Sequence, residues 1–239
     1  NTRSGVDARF RPEAADPGLP ARLGIPARPV LFVGGGDPRK NEAGLIRAFG
    51  LLRPALRRAH PLLLVGRMDA ARLASLAGQA GLGAGEWHHL PFVADADLPA
   101  LYAAAACFVF PSVYEGFGLP PLEAMACGAP TLAAGNSSLP EVVGRADALF
   151  DAADPAAIAQ PLRRVLEEPG FAAELSAHGR ARAAGFTWAA AAARAWDGLE
   201  AIAEAARRAP AAPRRRPSLA HVGPLPPAPS GIADYAAEL

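Results

Sequence analysis

Short apolar runs that end in glycine or proline, each followed by a segment of helical period, set the architecture this chain can adopt. Val30–Val33 closes in three glycines, Leu62–Val65 closes in Gly66, and residues 108–110 stop at Pro111. Apolar runs this short, bounded by such breakers, read as strands buried on both faces. Behind the first, Asn41 is suited to cap a helix, and Leu45, Ile46, Phe49, Leu52 and Leu56 recur at helical spacing. Residues 69–79 read as a helix with Leu73, Leu76 and Ala77 on one face. Trp87–Leu90, 130–133 and 148–150 read as further strands, 98–105 as a helix capped by Asp97, and 119–127 as a short helix with prolines in its first turn. Three closing helices are expected near 154–168, 171–184 and 188–206. Strands alternating with helices at this spacing imply right-handed βαβ units. The expected fold class is therefore α/β, a Rossmann-like parallel sheet with helices on both faces.

Ligands of such sheets bind where the strands end and the next helices begin. Two loops there are chemically loaded. The first is Gly34-Gly-Gly-Asp-Pro-Arg-Lys-Asn41. Glycines after a strand let backbone N–H groups approach an anion, the helix start adds partial positive charge, and Arg39 and Lys40 add full charges. Lys40 is the only lysine among 24 basic residues. The spacing is not that of a P-loop. A tight Asp-Pro turn with two exposed bases is the plainer alternative.

The second loop lies in residues 111–128, Pro-Ser-Val-Tyr-Glu-Gly-Phe-Gly-Leu-Pro-Pro-Leu-Glu-Ala-Met-Ala-Cys-Gly. Glu115 and Glu123 flank a glycine turn, with Glu123 expected in the first turn of the helix. Between them Gly116, Gly118 and Leu119 can present amides to an anion. Amides for phosphate and carboxylates for vicinal hydroxyls together describe a sugar nucleotide. The alternatives are a surface acid at Glu115 and a Glu123 that only offsets the helix dipole.

Net charge is +1, which argues against a nucleic-acid footprint. Arg207, Arg208 and Arg214 to Arg216 lie among Pro and Ala and read as a solvated linker. Cys107 and Cys127 have no metal or redox spacing and sit in apolar runs, as reduced buried thiols in the cytoplasm would. The sequence has no apolar stretch of membrane-spanning length. Its 239 residues begin with Asn1 and read as a piece of a longer chain.

Glu115-Gly-Phe-Gly-Leu-Pro-Pro-Leu-Glu-Ala-Met-Ala-Cys-Gly-Ala-Pro130 resembles the signature of the group 1 (family 4) retaining glycosyltransferases. Gly36-Asp-Pro-Arg-Lys-Asn41 is similar to that family's donor diphosphate loop. Leu90-Pro-Phe-Val93, Asp97-Leu-Pro-Ala-Leu-Tyr102, Asn136-Ser-Ser-Leu-Pro-Glu-Val-Val-Gly144 and Phe186-Thr-Trp188 are further matches. The resemblance covers about residues 28–206. It implies one half, the C-terminal donor-binding domain, of a two-domain GT-B enzyme with the active site in the cleft between the halves.

Carried over by residue, the resemblance implies that Lys40 neutralises the donor diphosphate, with Arg39 as a second base. Glu123 would hold the ribose hydroxyls and Glu115 the transferred sugar. Gly116, Phe117, Gly118 and Leu119 would supply backbone contacts, with Gly35 and Gly36 in the diphosphate loop and Val93 beside the nucleobase. Many members carry a base where Gly35 stands, so Arg39 or Arg67 is expected to compensate. No metal or cofactor is implied, only a nucleotide-sugar substrate, GDP- or UDP-linked. The implied reaction moves a hexose such as mannose to a glycan or lipid-linked acceptor held by an N-terminal domain, in polysaccharide biosynthesis. No nucleic-acid partner is expected, and peripheral membrane contact through the parent protein is compatible with this reading.

The expected organisation is a connecting segment over 1–27, the donor domain over 28–206, a Pro/Arg-rich linker over 207–217, and over 218–239 the start of a following transferase domain, with a disordered tail as the plainer alternative. Alone, the chain is expected to bind donor and transfer little. Two alternatives stand beside this reading. A degenerate nucleotide-sugar-binding module is favoured by Gly35. A sugar-nucleotide epimerase would need His88 or His89 as acid or base, and consecutive strand residues face opposite ways.

Overall fold

The structure is a computed structural model that describes residues 4–208. Along the chain run α1 (Leu19–Leu23), β1 (Val30–Val33), α2 (Glu42–Gly50), α3 (Pro54–Ala59), β2 (Leu62–Val65), α4 (Ala70–Gln79), β3 (Trp87–Leu90), α5 (Leu98–Ala104) and β4 (Cys107–Phe110). There follow α6 (Leu119–Ala126), β5 (Thr131–Ala134), α7 (Leu139–Val143), β6 (Leu149–Phe150), α8 (Pro155–Glu167), α9 (Pro169–Ala183) and α10 (Trp188–Arg208). Residues up to Trp196 form one compact unit, and the rest of α10 belongs to a second.

The six strands are parallel and ordered β3-β2-β1-β4-β5-β6. From β1 the chain winds outward to β2 and β3, then crosses back to β4 and winds the other way. Helices α2, α4 and α8 pack together, and α6 packs with α5, α7 and α9. Right-handed crossovers put these two sets on opposite faces. Leu31, Phe32, Leu63, Leu64, Phe108, Val109, Leu132 and Ala133 are fully buried between them. This is the Rossmann-like α/β fold expected from the sequence.

The order reverses between β1 and β4, and these strands pair only at Val30 with Cys107 and Leu31 with Phe108. Their carboxyl ends therefore diverge and open a crevice at the topological switch point, where ligands of open α/β sheets bind.

Two local expectations give way in the structure. The apolar period from Leu45 to Leu56 is two helices, because Pro54 cannot continue α2 and instead opens α3. The Gly50 carbonyl left over accepts from Arg57 Nη1 at 3.0 Å. Asp97 precedes α5 without capping it with its side chain. Its carboxylate takes Arg22 of α1 at 2.9 and 3.0 Å instead.

The segment 1–27 contains α1 and a 3-10 turn, and it buries Phe10 and Leu19 in the main core. Its start runs along the end of the domain, where Val6 N donates to Phe186 O at 2.9 Å. A Cβ at Gly5 would lie 2.2 Å from Trp188 N, so only glycine permits that approach. At the other end, Arg207 and Arg208 close α10 rather than open a linker. The expected segments 209–217 and 218–239 lie outside the described residues.

Candidate functional site

The loops after β1 and β4 meet over the crevice and are joined mainly through backbone. Asn41 has left-handed backbone, φ 56°. From there its Oδ1 accepts from Gly44 N at 3.1 Å and caps α2. Its Nδ2 donates to Pro111 O at 3.2 Å and Ala152 O at 2.8 Å. Arg39 O accepts both Ser112 Oγ at 2.9 Å and Val113 N at 2.8 Å. Lys40 thus stands between two residues tied to the facing loop, and little freedom remains at its Cα.

Lys40 Nζ lies 2.6 Å from Glu115 Oε1, with the two side chains 23% and 15% exposed. The ammonium also sits 5.1 Å from the centroid of the Phe110 ring. A half-desolvated pair interacts more strongly than one in water, so each member fixes the other's rotamer. The loop after β5 braces Glu115 from the far side. Glu115 N donates to Ser137 Oγ at 3.1 Å, and Ser138 Oγ reaches Glu115 O at 3.1 Å and Phe117 O at 2.6 Å.

Glu123 is the fifth residue of α6, one turn deeper than the sequence suggests, and no acid occupies the first turn. Offsetting the helix dipole is therefore not its part. Its Oε2 accepts from Tyr102 Oη at 3.1 Å. Tyr102 is buried on α5 and meets Phe108 edge-on, centroids 5.3 Å apart. Phe108 and Phe110, two apart on β4 and so on one face, stack at 6.0 Å. This aromatic row has Glu123 at one end and Lys40 at the other, which puts both charges on the same side of β4. Burial pushes the Glu123 carboxyl above its ordinary value, while the Tyr102 hydrogen bond pulls the other way.

Arg39 does not reach this pair. Its guanidinium turns back on Asp37, with Nε at 3.0 Å and Nη2 at 2.6 Å from Oδ2. Asp37 also accepts Arg39 N at 2.9 Å, so a local turn of the chain fixes the guanidinium direction. The expected second base is thus neutralised within its own loop, and what Arg39 gives the site is its carbonyl. Arg67, the other positional candidate, is exposed and carries its carbonyl 3.3 Å from where a Cβ on Gly36 would stand.

A Cβ at Gly35 would meet nothing within 4 Å. Gly66 differs: its φ is +130° and a Cβ there would fall 1.6 Å from Gly34 O. Glycine is required to bring the ends of β1 and β2 this close. Gly118 precedes α6 with φ +109°, and a Cβ would lie 2.7 Å from Leu139 Cδ2. Phe117 packs edge-on to Phe186 at 6.0 Å, Gly116 and Leu119 are exposed, and Val93 is half-buried against the core. His89 Nε2 is 2.9 Å from Gly66 O, within the sheet end.

The sequence did not single out Tyr102, Ser112, Ser137 or Ser138, and it credited Asn41 with a cap alone. The available signal was position: each polar group directly follows a strand or faces the crevice from the next helix. A cavity of about 870 Å³ lies elsewhere, along α8, with Arg53 and Arg164 on its wall. Those bases are already paired, Arg53 with Glu167 at 3.1 Å and Arg164 with Glu168 at 3.0 Å. Among the described residues no helix is long and apolar enough to cross a membrane, and no three His, Cys, Asp or Glu cluster as a metal site.

The serotype-specific mannosyltransferase WbdA of Escherichia coli is 40% identical over 174 residues, covering 72% of this chain and 21% of that protein. The O-antigen chain mannosyltransferase B of Escherichia coli is 42% identical over 161 residues, 66% of this chain and 42% of that one. The chain thus spans from a fifth to under half of these relatives' length. Among solved structures, the sucrose-phosphate synthase of Thermosynechococcus elongatus aligns with TM-score 0.68 and 29% identity, over 84% of this chain and 52% of that one. The Anabaena protein HepE, solved with UDP and glucose, aligns with TM-score 0.66 and 23% identity over 84% of this chain and 54% of that one, a likeness of fold. The profile of the family described as "Glycosyl transferases group 1" matches residues 24–182, and the chain belongs to that family.

Proposed function

We propose that the crevice between β1 and β4 binds the nucleotide-sugar donor of a retaining hexosyltransferase, and that this chain is the donor half of that enzyme. The observation that carries the reading is the Lys40–Glu115 pair at the switch point, 2.6 Å apart. A diphosphate entering the crevice competes with Glu115 for the ammonium. Released, the carboxylate is placed to accept hydrogen bonds from hydroxyls of the sugar next to that diphosphate. Glu123, on the same side of β4, serves the ribose hydroxyls, and Val93 borders the base.

The chemistry asks little more of these residues. As the bond from sugar C1 to the phosphate oxygen breaks, negative charge grows on the leaving diphosphate. Lys40 and the amides of residues 116–119 stabilise it, at a few kcal/mol per donor. The acceptor oxygen bonds to C1 on the face the diphosphate leaves, and its proton passes to a departing phosphate oxygen. Glu115 then positions the sugar and forms no bond to it. The acceptor is bound by a second domain of the intact protein, outside this chain. The mannosyltransferase relatives favour mannose as the sugar and O-antigen-type polysaccharide synthesis as its setting, and we place the reaction in the cytoplasm as part of the same proposal.

The test is calorimetric titration of this chain with GDP, UDP and ADP, beside product analysis of the intact protein with GDP-mannose and a glycan acceptor. Micromolar to millimolar binding of one nucleotide, lost in Lys40→Ala, is expected. Absence of binding to all three ends the reading. A second reading, a binding module without turnover, draws on Gly35 and on Arg39 being held by Asp37. Binding in this chain together with no transfer by the intact protein would select it.

A further inference from the structure

Tyr102 is the buried tyrosine of the site, and its hydroxyl meets one carboxylate oxygen, Glu123 Oε2, at 3.1 Å. Its ring has no room to turn away. Phe108 of β4 holds one side, centroids 5.3 Å apart at 80°, and Phe10 of the N-terminal segment holds another at 6.0 Å and 60°. A phenol in an apolar slot needs a partner for its O–H, and here the partner is an acid whose pKa burial raises and the hydrogen bond lowers. The donor and acceptor therefore depend on each other. The hydrogen bond spends Oε2 and leaves Oε1 as the free acceptor, in an orientation set by α5 and the segment before β1 rather than by α6 alone.

We infer that Tyr102 is a positioning residue, whose hydroxyl holds the Glu123 carboxylate turned so that its free oxygen receives the ribose hydroxyls of the donor. The inference rests on the donor-site reading above. It assigns work to Phe10 as well, since without that ring Tyr102 has space to swing off Glu123. The other groups whose charge Glu123 feels are Arg9 and Asp7 from the N-terminal segment and Asp95 from the loop before α5, while the Cys127 thiol at the end of α6 is itself pushed up, by burial first and by Glu123 in smaller part. Arg9 favours the carboxylate, and the two aspartates oppose it. Removing the phenol hydroxyl takes away the nearest group that favours ionisation.

The experiment compares the unaltered chain, Tyr102→Phe and Glu123→Gln, each titrated with GDP, UDP and ADP and with their 2′,3′-dideoxy counterparts. The unaltered chain is expected to prefer a ribonucleotide over its dideoxy form. Glu123→Gln should remove that preference. Tyr102→Phe should reduce it by about threefold to tenfold, the worth of one hydrogen bond, while dideoxy affinity stays unchanged. The acid limb of the preference should also move to higher pH in Tyr102→Phe, which a purely structural role would not produce.

If Glu123→Gln keeps the full preference, or none of the three nucleotides binds the unaltered chain, the donor-site reading falls and the inference with it. If Glu123→Gln loses the preference and Tyr102→Phe keeps it, the inference alone falls. Should Tyr102→Phe not fold, the unaltered chain labelled with 3-fluorotyrosine decides. The Tyr102 fluorine resonance should shift with the ribonucleotide and not with its dideoxy form, and equal shifts with both would overturn the inference.

Discussion

Lys40 Nζ and Glu115 Oε1 are 2.6 Å apart although 75 residues separate them in sequence. The pair closes over Phe110, and both side chains are mostly buried. The slot between a carboxylate and an aromatic ring suits a compact ammonium on a flexible stem. A guanidinium is flat, broader and forked. Lys40→Arg is expected to lower kcat/KM of the intact protein by about tenfold, and Lys40→Ala to lower kcat by about 10²–10³-fold, as loss of one transition-state donor does. An unchanged rate in Lys40→Arg would remove this account of why the chain keeps its single lysine.

Gly35 offers a gain. No atom stands within 4 Å of where its Cβ would be, and its φ is not in the left-handed region. Gly35→Arg should therefore fold with an unfolding free energy within about 0.5 kcal/mol of the unaltered chain, read from urea denaturation, as for other unobstructed surface changes. The added charge beside Lys40 should tighten nucleoside diphosphate binding by about threefold to tenfold and make it more salt-sensitive. Weaker binding on titration would mean the diphosphate does not pass this loop.

Asn41 ties three carbonyl or amide groups from a left-handed backbone. Asn41→Gly keeps the backbone and loses the side-chain bonds, and should cost about 1–3 kcal/mol in urea unfolding. Asn41→Ala adds the left-handed penalty of about 1 kcal/mol and should fall further. Nucleotide affinity should drop in both folded variants, since the two loops lose their common register. Equal stability of the two variants would show that backbone strain is not part of the cost.

The pH dependence follows from Glu123, whose carboxyl is raised by burial. A carboxyl raised in the folded state binds more protons there than in the unfolded chain, so its ionisation lowers stability as pH rises from the ordinary glutamate range through the raised value. Glu123→Gln should accordingly be as stable as the unaltered chain or more so at neutral pH, with the difference vanishing in acid. Thermal unfolding across that range checks the sign. The same substitution is expected to weaken ribonucleotide binding, a conflict between stability and binding usual for functional acids.

Much of the architecture was legible because strand and helix signals are local. The apolar runs ending at Gly34, Gly66 and Pro111 all became strands of the sheet. Alpha helices α1 and α7 were not seen, since five residues are too few to show a period. Asp97 was read as a cap because capping is a local rule, and Arg22, 75 residues away, outcompeted it. Arg39 was misdirected for a different reason. Asp37, two residues back, holds both its amide and its guanidinium, a turn the sequence contained but whose side-chain outcome it did not declare.

By itself the sequence determined the strands, the longer helices and the chemistry at their ends: the lone ammonium after one strand, two acids after another, and glycines where backbone had to approach backbone. Only the tertiary structure decided that those ends are neighbours. β1 and β4 adjoin because the chain reverses its winding there, an outcome of packing helices on both faces of one sheet. That packing also brought Tyr102 to Glu123 and Asn41 to Pro111. Such meetings depend on contacts summed over the whole core, and no local preference encodes them.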